Sequence, residues 1–304
     1  MNKTLAVTGG TGFVGSRLLD LARLHKYQVR ALARRDQEPQ GGVTWVKGAL
    51  DDPDSLRELA TGADAVIHVA GVITARSRAG FEAGNATGTL AMVEAAKAAG
   101  VHRFVHVSSL AAREPDLSDY GWSKARGETI VKASGLDWTI IRPPAVYGPG
   151  DRETLELFKM AKRGTVLLPP RGRFSLIEVG DLAAFILAVL PYDDCVAQTY
   201  EPDDGAKTGY DHREFAGMLG QAFGQRARPL SVPAPLMKTA SLLDRMFRRS
   251  GAKLTADRVR YFLHPDWVVS AAARPPVQLW RPRVRTPAGL KATADWYRAK
   301  GWIR

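Results

Sequence analysis

The feature that most constrains this chain is a glycine-rich turn, Val7-Thr-Gly-Gly-Thr-Gly-Phe-Val-Gly15, lying between two different periodicities. Before it, Leu5 to Thr8 is a short apolar run of strand type. After it, Gly15 to His25 reads as a helix, and Val29 to Ala33 as a second strand. Glycines at 9, 12 and 15 inside a βαβ unit point to a dinucleotide-binding turn rather than to a tight connection alone. Gly9 permits the turn, Gly12 lets backbone approach a pyrophosphate, and Gly15 allows close packing of helix on sheet. The helix N-terminus then offers unpaired N–H groups to phosphate. Gly9, Thr11, Gly12, Phe13, Val14 and Gly15 are the expected contacts.

The same alternation continues along the chain. Strands are expected at Thr44–Lys47, Ala65–Ala70, Arg103–Ser108 and Thr139–Arg142, with helices at Ser55–Leu59, Asn85–Ala99 and Tyr120–Ser134. The runs Ala65–Ala70 and Arg103–Ser108 are dominated by apolar residues, as suits strands buried on both faces. The fold class is therefore α/β, a doubly wound parallel sheet. After Pro149 the alternation fades and Pro and Gly punctuate the chain, marking a smaller second domain. Phe174–Val179 reads as a strand and Asp181–Leu190 as a helix with an acidic N-cap, folding back onto the first domain. The expected domains are 1–148 with about 174–198, and 149–173 with 199–304.

About 20 residues past a turn of this kind, an acidic residue marks a grip on the ribose of NAD. The second strand here ends in Ala33-Arg34-Arg35 instead. An arginine suits the 2′-phosphate of NADP, with which it pairs bidentately, so NADP is the expected cofactor and Arg34 its contact. Asp36, next in the chain, leaves NAD open.

Tyr120 and Lys124 lie four apart at the start of a helical stretch and so share a face. A free phenol titrates near pH 10, and acid–base work near neutrality needs a neighbouring cation to favour the phenolate. Lys124 fits that need. Ser109 closes the fifth strand candidate, and ligands of doubly wound sheets gather at the carboxyl ends of the strands. The expected catalytic set is Ser109, orienting a carbonyl oxygen, Tyr120 as acid/base and Lys124 tuning it. Of the two adjacent serines, one is expected to be a plain strand-to-loop cap, and Ser109 is assigned the reacting role.

With these residues the chain resembles the short-chain dehydrogenase/reductase superfamily, in its extended, epimerase/dehydratase-like branch. The resemblance extends to Arg142-Pro-Pro-Ala-Val-Tyr-Gly-Pro-Gly150 and to Val179-Gly-Asp-Leu-Ala183. It implies a Rossmann-type domain with a smaller C-terminal substrate domain. It also implies that Ala70 and Gly71 flank the cofactor, that Pro143 and Val146 lie along the nicotinamide, and that Arg34 meets the 2′-phosphate. Two departures stand out. Where many members carry an Asp for the adenine, this chain has Gly48-Ala-Leu50, which hands that task to backbone at Leu50 or to Asp51. Where sugar-nucleotide members carry an Arg five residues before the landmark Val179, this chain has Phe174, with Arg173 on the opposite side. That tilts the resemblance towards dihydroflavonol-reductase-like and hydroxysteroid-dehydrogenase-like relatives.

The charge is uneven. The chain holds 43 Lys and Arg against 31 Asp and Glu, a net +12, and residues 206–304 supply the whole excess. The basic third admits an anionic substrate or surface as well as plain solvated helix faces. Leu236–Arg249 places Leu236, Ala240, Leu243 and Phe247 on one face, the pattern of a helix packed over a substrate pocket, with an anionic lipid surface as the alternative. No basic, aromatic-interleaved motif points to nucleic acid. His68, His102 and His106 are expected to be structural, without metal, and Asn85 to cap a helix. Arg76 and Arg78 sit where an anion would be recognised. The single Cys195, the absence of a leader pattern and the lack of a run of roughly 20 apolar residues suggest a cytosolic enzyme. The expected activity is NADP(H)-preferring interconversion of a carbonyl and a secondary alcohol. The rivals are an epimerase or dehydratase that retains NAD, and a nonenzymatic dinucleotide sensor or assembly subunit.

Overall fold

A computed structural model describes residues 3–237, 239, 241 and 255–304. Two compact units emerge. The first comprises Met1–Pro143, Leu182–Pro202 and Pro275–Trp280, and the second comprises Pro144–Asp181, Asp203–Arg274 and Arg281–Arg304. These boundaries differ from those read off the sequence, because the returning segment is 182–202 rather than about 174–198.

The first unit is built on a seven-stranded parallel sheet. Its strands are β1 (Thr4–Thr8), β2 (Gln28–Ala33), β3 (Val43–Lys47), β4 (Ala65–His68), β5 (Arg103–Val107), β6 (Asp137–Ile141) and, later in the chain, β11 (Gln198–Tyr200). In space the order is β3-β2-β1-β4-β5-β6 and then Gln198–Tyr200, every pair parallel. The chain thus winds outward from β1 in one direction, then restarts at β4 and winds in the other. The point of reversal, between the carboxyl ends of β1 and β4, is where such sheets open a crevice for a ligand. Helices α1 (Phe13–Leu24), α2 (Pro53–Ala60), α3 (Arg78–Glu82), α4 (Gly88–Ala98) and α5 (Asp119–Lys132) make the connections. One core cluster includes Ala6, Val66 and Phe104 from the strands with Leu56, Met92 and Val131 from the helices, all buried. Asp52 starts α2 by accepting from the backbone N–H groups of Asp54 and Ser55.

The second unit has its own core, in which Tyr147, Phe158, Phe215 and Tyr297 pack together. Its strands are short: β7 (Ala145–Tyr147) with β10 (Leu176–Glu178), β8 (Thr165–Leu168) with β13 (Arg228–Ser231), and β9 (Arg173–Phe174) between β12 (Tyr210–Asp211) and β14 (Asp266–Trp267). The strand expected at Phe174–Val179 is in fact β9 and β10, which join different sheets. The helix expected to begin on an acidic cap at Asp181 starts earlier, at Val179. Glu178 performs the capping, its carboxylate accepting from Gly180 N–H at 2.6 Å and Asp181 N–H at 3.1 Å. Asp181 instead accepts from the backbone N–H groups of Arg283 and Val284, both at 2.9 Å. No described helix is long and apolar enough to cross a membrane. Of the Leu236–Arg249 stripe, Leu236 is described and exposed, while Lys238, Ala240, Leu243, Arg245, Phe247 and Arg249 lie outside the described residues.

Candidate active site

The glycine turn and the loop after β4 meet at the reversal point. Gly9 has φ +74°, and a Cβ there would lie 2.7 Å from the amide nitrogen of Ala70, so both backbone strain and contact demand glycine. A Cβ at Gly15 would overlap the Gly9 carbonyl oxygen. Gly15 therefore lets the first turn of α1 sit on the glycine loop itself, not on the sheet face as the sequence suggested. No side chain caps α1 at Gly12, and its first turn holds no acidic residue. The N–H groups there remain available to an anion, which is the fit a dinucleotide pyrophosphate requires. Thr11 and Gly12 are exposed, Phe13 and Val14 half-buried.

At the ends of β2 and β3 a cleft of about 140 Å³ is lined by Ala33, Arg35, Asp36, Gln37, Trp45 and Lys47. Arg34 is exposed but does not line it. Lys47 pairs with Asp36 at 3.0 Å, and the indole N–H of Trp45 is buried without a partner among the described residues. Leu50 packs against the core, whereas Asp51 is exposed. Pro143 is buried and its carbonyl accepts from Leu110 N–H at 3.0 Å, beside Ser109. Val146 belongs to the second unit, in β7, where it pairs with Ile177 of β10.

Lys124 is the most constrained of the expected reacting residues. It is 4% exposed, donates to the Val107 carbonyl at 2.9 Å, and its Nζ would lie 3.6 Å from a Cβ at Gly71. The ammonium thus stands between the end of β5 and the loop after β4. Burial lowers its pKa to about 8, with the Glu128 carboxylate one turn away pulling it back up. Tyr120, one turn earlier on α5, is half-buried with its ring 6.1 Å from that of Phe81.

The two serines after β5 are used differently. Ser108 donates to Glu128 Oε1 at 2.6 Å. Ser109 Oγ accepts from Ala111 N–H at 3.2 Å, and no described hydrogen bond claims its own proton. Ser109 is therefore the one able to donate outward.

Asn85 is not a helix cap. The helix begins at Arg78 on a Ser77 cap and passes through a π-helical turn, Ala83–Thr87, before continuing as α4. Within that turn the Asn85 side chain accepts from Val72 N–H at 2.8 Å and donates to the Val72 carbonyl and to Ser123 Oγ, both at 2.9 Å. Ser123 in turn donates to the Tyr120 carbonyl at 2.8 Å. Asn85 ties the loop after β4 to the helix that carries Tyr120 and Lys124. Local widening of a helix into a π turn is a frequent way of aiming such a side chain.

Beneath it runs a directed chain. Thr89 Oγ1 donates to the Asn85 carbonyl at 2.7 Å, so it must accept from His68 Nε2 at 3.1 Å. His68 Nδ1 then accepts from Thr8 Oγ1 at 2.8 Å, and Thr8 accepts from Ala70 N–H at 3.2 Å. The tautomer of His68 follows from its neighbours, and it stays neutral: full burial and then Lys124 lower its pKa to about 3. His106 stacks on it with ring centroids 5.5 Å apart, yet both of its ring nitrogens lack a partner. Among the described residues, then, the structural role expected of these histidines comes with hydrogen-bonded nitrogens at His68 and with none at His106; His102 is exposed. Among the described residues no group of three His, Cys, Asp or Glu side chains is placed to hold a metal.

Other charged residues are committed elsewhere. Arg78 lies 3.8 Å over the Trp122 ring and 3.7 Å from Asp119, rather than reaching for an anion, and Arg76 is exposed. Arg173 pairs with Asp211 and Glu214, while Phe174 packs on His212 and Phe215. The residues that sequence reasoning passed over are Ser123, Thr89 and Glu128. Glu128 carried a signal, since it stands four residues beyond Lys124 on the same helix face.

A family model described as NAD(P)H-binding matches residues 9–192. A ceramide reductase of Caulobacter vibrioides is 39% identical over 98% of this chain and 96% of its own length. A ketoreductase of Stigmatella aurantiaca, acting on a 4-hydroxy-2-methyl-3-oxo-4-farnesyl-3,4-dihydroquinoline-1-oxide, is 32% identical over 80% of each chain. Among solved structures, MoeE5 in complex with UDP-glucose and NAD superposes with a TM-score of 0.75 at 21% identity, covering 98% of this chain and 99% of that one, which reflects the shared fold. The chain belongs to the NAD(P)H-binding family that this family model describes, and it shares its fold with epimerase/dehydratase-like and short-chain dehydrogenase/reductase structures.

Proposed function

We propose that the protein is an NADP(H)-preferring reductase that converts a ketone on a lipid of the ceramide kind to a secondary alcohol. The observation that carries this reading is the buried Lys124 ammonium, held at the Val107 carbonyl one helical turn from Tyr120 and close to Gly71. The names of the relatives from Caulobacter and Stigmatella, a ceramide reductase and a ketoreductase on a farnesylated ring, favour a lipidic carbonyl.

When bound, the nicotinamide supplies a hydride to the carbonyl carbon. The chain's part is to handle charge and proton. Ser109 donates its unclaimed proton as a hydrogen bond to the carbonyl oxygen and holds it beside Tyr120. The Tyr120 hydroxyl passes its proton to that oxygen as negative charge develops there. Lys124, charged below its pKa of about 8, stabilises the phenolate left behind. Glycine-turn N–H groups hold the pyrophosphate, and Arg34 with Arg35 and Lys47 favour a 2′-phosphate. A cytosolic setting suits an enzyme drawing on NADPH.

The test is NADPH and NADH oxidation with ketone-bearing ceramide analogues beside sterol-like, flavonoid-like and small ketones. The reading expects turnover with NADPH and a long-chain ketone. A tightly retained NAD with no net oxidation of added NADPH would replace it with the epimerase or dehydratase reading.

A further inference from the structure

One face of the second unit combines exposed leucines with arginines that pair with no acidic side chain among the described residues. In the β8–β13 pair, Leu167 lies opposite Leu230 and Thr165 opposite Arg228, and paired residues of a parallel ladder project to the same side. The other side is core, with Val166 and Leu168 buried. The outward leucines are 50% and 54% exposed, and Leu236, a few residues on, is 58% exposed. Isolated exposed leucines need no explanation. Two that adjoin in register, on the outward face of a two-stranded sheet, form a patch.

The charge around the patch points to its partner. Residues 157–177, which carry β8, and 215–243, which carry β13, contain no Asp or Glu. Arg163, Arg171, Arg226 and Arg228 in these stretches are exposed, and none takes part in an ion pair among the described residues. A second copy of the chain would bring like charges together across this face. Nucleic acid would satisfy the arginines but offer the leucines nothing. A bilayer with anionic headgroups satisfies both, apolar side chains entering the acyl boundary while arginines meet lipid phosphate.

We propose that the β8–β13 face of the second unit docks on an anionic phospholipid surface. The proposal stands on surface residues alone and does not depend on the catalytic reading. The experiment is flotation of the full-length protein with vesicles of phosphatidylcholine, and of phosphatidylcholine mixed with phosphatidylglycerol. The wild type is expected to bind the anionic vesicles at least about tenfold better, with the difference lost at high salt. Arg226→Glu combined with Arg228→Glu, and separately Leu167→Ser combined with Leu230→Ser, are expected to lose binding while NADPH affinity stays as in the wild type. Equal binding to both vesicle types, no binding at all, or variants that bind like the wild type would overturn the proposal. So would light scattering showing a dimer that the leucine variants dissociate.

Discussion

Arg142 grips the buried Glu128 carboxylate with two hydrogen bonds, Nε to Oε1 at 2.8 Å and Nη2 to Oε2 at 2.6 Å. This joins the end of β6 to the middle of α5, one turn beyond Lys124. Ser108 donates to the same carboxylate, and Arg142 also stands 3.6 Å from the buried Glu201, which lies 3.4 Å from Arg113. Removing one member leaves buried charge on the others without its partner. Glu128→Ala is expected to cost about 3–5 kcal/mol in unfolding free energy. Glu128→Gln keeps an acceptor for Ser108 and costs less. Because Glu128 raises the pKa of Lys124, the Gln variant is also expected to move the alkaline limb of the activity profile to lower pH. An unmoved limb would confine Glu128 to a packing role.

Lys124 gives a second prediction, with a defined sign. Its folded pKa of about 8 lies below the 10.5 of a free lysine, so between those values the unfolded chain holds the extra proton. Wild-type stability therefore rises with pH across that window, by up to about 3 kcal/mol. Lys124→Met is expected to lack this rise, seen in urea unfolding at pH 7 and pH 10, and to be inactive. In the wild type, ketone reduction is expected to fall as pH passes about 8, since the charged amine is the useful form.

The stacked histidines set the acid side. His68, at about 3, and His106, well below 6.5, stay neutral when folded, whereas the unfolded chain takes up protons below pH 6.5. Stability is expected to fall as pH drops from 6.5 towards 4, by about 1.4 kcal/mol per pH unit for each histidine. His106→Leu should make that slope shallower. It should also gain about 1 kcal/mol at pH 7, since it removes two buried nitrogens that no hydrogen bond satisfies. A slope unchanged by the substitution would show that His106 is not neutral in the fold.

Cofactor choice is tested at the cleft beside β2. Arg35→Ala and Arg34→Ala are each expected to raise the KM for NADPH about tenfold while leaving that for NADH within about twofold, as loss of a charge-assisted hydrogen bond implies. Lys47→Ala should act in the same direction, because Lys47 lines the same cleft. If none of the three alters the ratio, the 2′-phosphate is held elsewhere or not at all.

The sheet was legible because strands buried on both faces read as predominantly apolar runs, and the glycine turn because it sits between a strand and a helix. Ser109 and Lys124 came to the expected sheet end for the same reason. What escaped was long-range or finely local. The π turn at Ala83–Thr87 looks like ordinary helix in sequence, so Asn85 read as a cap although the helix starts at Arg78. His106 looked like any core histidine, since the lack of a partner depends on which side chains pack around it. The cap expected of Asp181 falls to Glu178 because the helix starts two residues before Asp181.

The measurement that bears most directly on the catalytic account is NADPH oxidation coupled to reduction of a long-chain ketone, compared between wild type and Tyr120→Phe. The expected result is one alcohol formed per NADPH consumed by the wild type, and a loss of about 10²–10⁴-fold in kcat for the variant, the usual worth of a positioned proton donor. Unaltered turnover in Tyr120→Phe would contradict it.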